Sequence, residues 1–253
     1  MTEANRVVCW FSCGAASAVA TKLAIEENKR GAQLPLVVAR CYVANEHPDN
    51  DRFAEQCQDW FDEPVVTLQN EKYGANVDTV IEKERYLVGP SGAKCTSLLK
   101  KGVREKFQRL GDLQVFGYTA EEQHRVDRFI DGNADVRLSP VLVDKGLMKA
   151  DSLAMVKRAG IELPAMYKLG YHNNNCIGCV KGGAGYWNKI RVDFPDVFER
   201  RARQERMLNR QICKVGDERV FLDELPRDAG NYPAEPEVQC GIFCELAERD
   251  MSK

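Results

Sequence analysis

The chain has 253 residues, of which 44% are hydrophobic and 29% are charged, and its formal net charge is −2. A chain of this length can bury a sizeable core, which favours one large α/β domain with a small appendage. No apolar run approaches the roughly 20 residues that a membrane span requires, the N-terminus lacks the basic region of a signal peptide, and the charge gives no indication of nucleic-acid binding. We therefore expect a cytoplasmic protein.

The first half of the chain alternates apolar, strand-like runs with amphipathic helical stretches. This alternation is typical of a parallel sheet with helices on both faces. The predicted strands cover residues 6–11, 36–43, 65–68 and 113–118. The predicted helices cover residues 16–28, 51–61 and 96–110. The expected fold class is therefore α/β, with a doubly wound, mostly parallel sheet.

The pattern changes after the Ser139-Pro140 dipeptide, near which we expect a domain boundary. The second half is predicted to contain a helix at 150–159, a glycine- and asparagine-rich loop at 169–185, a helix pair at 186–210 broken near Phe194-Pro195, and an extended, proline-dotted tail at 215–253. These segments are predicted to form the small appendage, which would cover residues 146–253.

A tight turn of small residues follows the first predicted strand directly and precedes the first predicted helix. Small side chains allow backbone N–H groups to approach a phosphate, and the helix N-terminus adds the positive end of its dipole. The turn is not a P-loop of the GxxxxGK[ST] type, because no lysine follows it. From the residues alone it is either a phosphate cradle or a packing turn. Its members are Ser12, Cys13, Gly14, Ala15, Ala16 and Ser17.

The S-x-G-x-x-S order of this turn resembles the PP-loop of the ATP pyrophosphatase and phosphoadenosine-phosphosulfate (PAPS) reductase superfamily. Residues 42–53 correspond to the acidic segment that this family carries after a strand. Residues 117–122, followed by Arg125, are similar to its glycine-x-x-x-acidic-glutamate-x-x-arginine segment. Together the matches span most of residues 7–210.

The resemblance implies an adenine nucleotide alpha hydrolase-like fold, with a PP-loop nucleotide-binding domain over residues 1–145. It implies ATP or a sulfonucleotide as ligand, and Mg²⁺ as the ion that assists pyrophosphatases. Many of those pyrophosphatases have aspartate where this chain has Ala16, and this departure favours the reductase-like branch. The residues expected to bind the nucleotide are Ser12, Cys13, Gly14, Ala15, Ala16, Ser17, Glu46, Gly117, Glu122 and Arg125.

Three of the ten cysteines form a candidate metal centre. In a reducing compartment a disulfide framework is not expected, so clustered cysteines indicate metal binding or catalysis. Cys176 and Cys179 form a CxxC pair, and Cys95 lies 81 residues before Cys176. This spacing is similar to that of the family's cluster-bearing reductases and thiolases, which implies a [4Fe-4S] cluster with three protein ligands and one open iron. Tetrahedral zinc and a redox dithiol are the alternatives.

The C-terminal tail adds a CxxxC pair, Cys240 and Cys244. Cys244 is a candidate fourth metal ligand, and the pair can equally complete a zinc site, carry a persulfide or pin the tail by packing. The candidate catalytic cysteines are therefore Cys95, Cys240 and Cys244. The cysteines expected only to pack are Cys9, Cys41, Cys57 and Cys213.

Basic residues mark two further segments. Lys100, Lys101 and Arg104 follow Cys95 and would stabilise thiolates or bind a substrate phosphate, or else form a solvated helix face. Residues 189–214 contain eight basic and four acidic residues, whereas residues 215–253 contain ten acidic and four basic residues. The basic stretch offers a surface for nucleic acid or a cysteine desulfurase, or it pairs with the acidic tail.

These expectations favour an adenine-nucleotide-dependent sulfurtransferase. ATP would activate an acceptor, release pyrophosphate, and allow sulfur to enter by way of the iron–sulfur and cysteine centre. The acceptor would be a nucleic acid, as in DNA phosphorothioation or tRNA thiolation, and a cysteine desulfurase would supply the sulfur. The alternatives are a sulfonucleotide reductase that releases sulfite and a non-catalytic nucleotide-binding subunit. The oligomeric state stays open, a homo-oligomer included.

Overall fold

A computed structural model describes residues 4–90, 92–233 and 242–251 of the chain. Its strands are β1 (Arg6–Trp10), β2 (Leu36–Cys41), β3 (Val65–Leu68), β4 (Val88–Gly89), β5 (Gly92–Ala93), β6 (Asp112–Val115), β7 (Arg137–Ser139), β8 (Cys213–Val215) and β9 (Glu218–Val220). Five strands form one sheet in the order β3-β2-β1-β6-β7, and every pairing in it is parallel. The predicted α/β class is confirmed.

Strand β1 lies at the centre of the sheet, and all five of its residues are buried. Val7 and Cys9 face one hydrophobic core, whereas Val8 and Trp10 face another on the opposite side. A strand buried on both faces reads as a continuous apolar run rather than an alternating one. This explains why residues 6–11 carry no polar alternation.

Helices cover both faces of the sheet. They are α1 (Ala15–Arg30), α2 (Asp49–Phe61), α3 (Val77–Glu84), α4 (Gly102–Phe107), α5 (Gln123–Asp131), α6 (Val141–Asp144), α7 (Lys149–Arg158), α8 (Ala165–Lys168), α9 (Ala184–Asp193), α10 (Pro195–Leu208) and α11 (Ile242–Met251). On one face α1 packs against α2, α6, α7 and α11. On the other, Phe107 of α4 contacts Trp10, and Phe129 of α5 contacts Phe116. Within the described ranges, no helix is long and apolar enough to cross a membrane.

The core that Val7 and Cys9 face is called the first core. Apart from the two cores that β1 faces, a further large one, called the second core, lies around Trp187, Tyr171 and Phe198, and the loop that carries the CxxC pair packs on it. This core also takes residues from the first half of the chain, such as Leu99. The first core in turn includes Leu153, from beyond residue 145. The two cores are thus interleaved along the sequence, and the division at residue 145 stays a prediction.

Two segments differ from the sequence prediction. The helix predicted over 96–110 is continuous but irregular and ends at Phe107. Its first part, Thr96–Lys101, is π-helical, with the Gly102 N–H bonded to the Ser97 carbonyl, and α4 continues it. The tail predicted as extended contains the β8–β9 hairpin and helix α11. Helix α11 forms because Ala247 packs into the first core and Glu248 accepts a hydrogen bond from Arg158 at 2.8 Å.

The break in the helix pair is as predicted, since α9 ends at Asp193 and α10 begins at Pro195. Proline is favoured in the first turn of a helix, where its missing N–H costs no hydrogen bond. Helix α3 was not predicted. Its start is marked by Asn76, whose side chain accepts the N–H groups of Asp78 and Thr79.

Helix α10 carries a buried carboxyl group that makes stability depend on pH. The Glu205 side chain accepts the backbone N–H groups of Ile212 and Leu222. Burial nevertheless raises the pKa of Glu205 to about 7. Because the folded state binds this proton more tightly than the unfolded state, the contribution to stability is complete below about pH 4.5 and is lost as pH rises through about 7.

We therefore expect the free energy of unfolding to fall by about 3 kcal/mol between pH 4.5 and pH 8 on account of Glu205. Glu205→Gln, which mimics the protonated form, should remove this part of the pH dependence. The measurement is urea unfolding at several pH values. Glu199→Gln, an exposed change on the same helix, is the control and should leave the wild-type pH profile intact. An equal profile in wild type and Glu205→Gln would contradict the prediction.

Candidate active site

A cavity of about 990 Å³ lies at the carboxyl ends of β1 and β6. The sheet order β3-β2-β1-β6-β7 reverses direction between these two strands, and ligands of open α/β sheets bind at such a switch point. Among the segments that line the cavity are the turn after β1, the loop after β6, and residues 172–175 from the cysteine-bearing loop. The topology therefore brings the predicted phosphate turn and the approach to the CxxC pair to one site.

The turn after β1 is closed by its own serines. Ser17 Oγ accepts hydrogen bonds from the Ser12 backbone N–H at 3.0 Å and the Ser12 hydroxyl at 3.1 Å, and it donates to the Gly14 carbonyl at 2.8 Å. Cys13 sits at φ 56°, in the left-handed region, and its side chain is buried beneath the turn. Helix α1 begins two residues later, so the unpaired N–H groups of its first turn lie beside the cavity.

Gly117 brings the loop after β6 into direct contact with this turn. A Cβ atom at Gly117 would lie 2.5 Å from the backbone nitrogen of Ser17 and 2.6 Å from its Cα. No side chain fits there, so glycine is required for the two segments to meet. Glu122 follows in a capping box with Thr119, and Arg125 contacts Glu122 and lies over the Tyr118 ring.

Most of the residues predicted to bind the nucleotide line the cavity. They are Ser12, Gly14, Ala16, Ser17, Gly117, Glu122 and Arg125. Cys13 and Ala15 are buried behind the turn instead. Glu46 lies behind the cavity-lining Lys100 and accepts a hydrogen bond from its Nζ atom at 2.8 Å.

The cavity wall carries more cationic than acidic side chains, although Lys100, Lys101 and Arg125 form ion pairs with carboxylates in or behind the wall. Its cationic residues are Lys100, Lys101, Arg104, Arg125, Arg128 and Lys149, against two acidic ones, Glu121 and Glu122. The Arg104 guanidinium lies over the Phe116 and Phe129 rings, at 5.2 and 5.5 Å from their centroids. Such a wall favours a polyanionic ligand. Phe116, Phe129 and Arg128 were not predicted, because only the fold brings them to the turn after β1.

Cys95, Cys176 and Cys179 lie within electrostatic reach of one another. Burial raises the pKa of Cys95, and a Cys179 thiolate raises it further. Burial also raises the pKa of Cys176 to about 12; Lys100 opposes that rise, whereas Cys179 and Cys95 add to it. Over residues 4–90, 92–233 and 242–251, no group of three or more His, Cys, Asp and Glu side chains is arranged to hold a metal ion.

The CxxC turn is held by a tyrosine and a glycine. Tyr186 Oη accepts the backbone N–H of Cys179 at 2.9 Å and donates to the carbonyl of Cys176 at 3.3 Å. Gly178 adopts φ 70°, and a Cβ atom there would lie 2.5 Å from Val197. The turn between the two thiols is therefore fixed by the second core. Nothing in the CxxC pattern identifies Tyr186 as its clamp.

A chain of hydrogen bonds joins the cysteine loop to the phosphate turn. Asn174 is buried, and its Nδ2 donates to the carbonyl of Cys13 at 2.6 Å and to Asn50 Oδ1 at 2.7 Å. Asn50 in turn donates to Glu46 at 3.1 Å, and Glu46 also binds Lys100. The structure identifies Asn174 as a structural link.

The remaining cysteines fall into two groups. Cys9, Cys57 and Cys213 are buried, as expected of packing residues, whereas Cys41 is half-buried and lines the cavity. Cys240 lies outside the described residues, and of Cys244 only its place in helix α11 is described.

The basic stretch at 189–214 is partly neutralised by its surroundings. Arg206 pairs with Asp223 at 2.8 Å and Glu224 at 2.5 Å, both in the acidic tail segment. Lys189 pairs with Asp193 at 2.9 Å on its own helix. These contacts favour a paired surface over a free basic one.

Comparisons of this chain with protein-family models, with curated proteins and with solved structures find no match.

Proposed function

We propose that this protein is an adenine-nucleotide-dependent sulfurtransferase. The observation that carries the proposal is a single basic cavity, at the switch point of a parallel sheet, that joins the turn after β1 to the loop leading into Cys176. Thr96 and Asn175 on the cavity wall are the sequence neighbours of Cys95 and Cys176, which do not line the cavity themselves. A phosphate-binding turn with thiols next to the same cavity is what nucleotide-activated sulfur transfer requires. We place the activity in the cytoplasm, where reduced cysteines persist.

In the proposed reaction the triphosphate lies on the turn after β1. The N–H groups at the start of α1 and the Ser12 hydroxyl bind its oxygens. An acceptor oxygen attacks the α-phosphorus, the bond from that phosphorus to the bridging oxygen breaks, and pyrophosphate leaves with the bonding electrons. The basic wall, with Arg125 and Lys100, stabilises the negative charge that develops. A sulfur nucleophile then displaces AMP from the acceptor. Sulfur that arrives as a desulfurase persulfide needs two electrons from a thiol reductant, which leaves as a disulfide, to reach the sulfide level of the product.

Cationic side chains act on the cysteine thiols from two elements. Burial raises the pKa of Cys176 and of Cys95, and the charges of Lys100 and Arg201, respectively, oppose that rise. Sequence spacing, and not a formed metal site among the described residues, supports the cluster that we propose. Cys95, Cys176 and Cys179 would hold a [4Fe-4S] cluster, which would supply an open iron for hydrosulfide or substrate. Zinc is the alternative metal. A cysteine desulfurase would be the sulfur donor, and Mg²⁺ would accompany ATP.

A sulfonucleotide reductase is the second candidate. The basic wall of the cavity would equally bind a nucleotide that carries a phosphosulfate. In that reaction a cysteine attacks the sulfate sulfur, the nucleotide phosphate leaves, and a thiol reductant releases sulfite. Cys240 or Cys244 would be the nucleophile. Ala16, in place of an aspartate, supports the third candidate, a nucleotide-binding subunit without turnover.

The test distinguishes attack on the α-phosphorus of ATP from attack on the sulfate sulfur of a sulfonucleotide. We expect the protein, with its acceptor and a cysteine desulfurase, to convert ATP to AMP and pyrophosphate, more slowly when it is alone. No sulfite should form from PAPS or its unphosphorylated analogue with a thiol reductant. The measurements are nucleotide chromatography and sulfite detection. The variants Cys240→Ser and Cys244→Ser are the controls. Sulfite release that depends on either cysteine, without AMP from ATP, would replace the proposal by the reductase.

A further inference from the structure

Arg104 is a cavity-lining arginine that aromatic rings, rather than carboxylates, hold in place. Its guanidinium carbon lies 5.2 Å from the centroid of the Phe116 ring and 5.5 Å from that of the Phe129 ring. The two ring centroids are 5.2 Å apart. Phe116 also stacks on Trp10, whose indole N–H donates to Gln114 at 3.0 Å. Cation–π contacts with rings that are themselves packed orient the guanidinium without neutralising its charge.

The charge of Arg104 has no counter-ion among the described residues. Two other cations of the same helical segment also line the cavity, but both are paired. Lys100 binds Glu46 at 2.8 Å, and Lys101 lies 3.6 Å from Glu105. Over the same described residues Arg104 forms no ion pair, and its buried Nε atom has no hydrogen-bond partner. Guanidinium N–H groups are costly to leave unpaired when they are removed from water, so this arrangement indicates an anion that binds from the cavity.

Arg104 and the turn after β1 lie on opposite faces of the sheet. Helix α1, which begins at that turn, packs on the first core. Trp10 and Phe116 belong to the core on the other face, where α4 carries Arg104. The cavity reaches both faces, because Gly14 and Arg104 both line it. An anion at the start of α1 and an anion on Arg104 therefore occupy different parts of the cavity.

We propose that Arg104, held by the rings of Phe116 and Phe129, is a second phosphate site, which binds a phosphate group of the second substrate while the nucleotide occupies the turn after β1. A guanidinium fork binds two oxygens of one phosphate at once. The cavity wall has six cationic residues against two acidic ones, and this surplus favours a dianionic phosphate over a carboxylate. The inference rests on the proposed function and specifies that its acceptor carries a phosphate group. The two rings are positioning residues.

Calorimetric titration with inorganic phosphate tests the site, without and with saturating α,β-methylene-ATP, which cannot release pyrophosphate. We expect wild-type protein to bind phosphate in the presence of the analogue, and acetate not to displace it. Arg104→Gln should weaken this binding about tenfold or more. Phe129→Leu, which removes one ring beneath the guanidinium, should weaken it about threefold. Arg104→Lys keeps the charge but loses the fork, so its affinity should lie between those of Arg104→Gln and wild type.

Arg109→Gln is the matched control, because Arg109 is an exposed arginine of the same segment that does not line the cavity. It should bind phosphate like the wild type. Arg104→Gln should keep the thermal shift that ATP induces, which shows that the fold and the turn after β1 are intact.

Four results would overturn the inference: no phosphate binding by wild type, wild-type affinity in Arg104→Gln or in Arg104→Lys, displacement by acetate, or loss of phosphate binding when the analogue is added. In the last case the site would belong to the phosphates of the nucleotide itself. AMP formation from ATP is measured on the same preparations. Its absence, with Arg104-dependent phosphate binding intact, would overturn the proposed function and leave the phosphate site standing.

Discussion

ATP at a hundredfold excess over its dissociation constant is expected to stabilise the protein by about 2.7 kcal/mol, and Gly14→Val is expected to abolish that gain. Gly14 lines the cavity immediately before the first residue of α1. A valine side chain there would fill the space through which a phosphate approaches the helix N-terminus. In thermal unfolding the gain corresponds to about 5 to 10 °C for a chain of this size.

The substitution is informative because the free protein should tolerate it. Gly14 has φ −102°, which any residue adopts. A Cβ atom at this position would meet only Tyr167 Oη at 3.4 Å and Ser12 Oγ at 3.8 Å, both ordinary contacts. The variant should therefore unfold at nearly the wild-type temperature without nucleotide, and the difference should appear only when ATP is added.

Gly183→Val is the matched control. Gly183 also precedes a helix in extended conformation, has no atom within 4 Å of a built Cβ, and does not line the cavity. This variant should keep the full ATP-induced shift. If no adenine nucleotide stabilises the wild-type protein, the turn after β1 is a packing turn and does not bind phosphate. An unchanged shift in Gly14→Val would mean that the ligand does not approach there.

Apart from the α/β class, which the alternation of strands and helices along the chain indicates, the features that the sequence predicts correctly are local ones. The turn after β1 is recognisable because its small residues stand together between a strand and a helix. The break between α9 and α10 is recognisable because Pro195 marks it. In both cases the signal and the structure that it specifies lie within a few residues, so no knowledge of the fold is required.

The parts that escaped prediction depend on contacts distant in sequence. Asn174 bonds to Cys13 across 161 residues, and Arg201 meets Asp78 across the boundary between two predicted units. Asparagine in a loop and arginine on a helix are ordinary by composition, and only the packing of one against the other gives them a role. The end of the tail was wrongly predicted as extended, because the prolines that precede the short helix α11 indicate a non-helical segment.

Cys176→Ser is expected to remove the metal centre. Wild-type protein purified under anaerobic conditions should be brown and should contain iron and acid-labile sulfide in equal amounts. Cys176 is the thiol that Lys100 faces, and the turn that carries it is held by Tyr186. Serine is a poor ligand for iron, and removing one of three protein ligands leaves the cluster on two. The variant should therefore be colourless and lack iron.

Cys41→Ser separates this effect from the loss of any thiol near the cavity. Cys41 is also half-buried and close to Lys100, and burial raises its pKa to about 11, yet Cys95, Cys176 and Cys179 are not among the groups that act on it. The Cys41→Ser protein should therefore keep its brown colour, its iron and its ATP-induced stabilisation.

Metal analysis distinguishes an iron–sulfur cluster from a zinc site. A colourless wild type with stoichiometric zinc would replace the cluster by a zinc site, since a tetrahedral Cys-bound zinc absorbs no visible light and carries no sulfide. Iron retained by Cys176→Ser would contradict the prediction, because it would place the cluster on cysteines other than Cys95, Cys176 and Cys179.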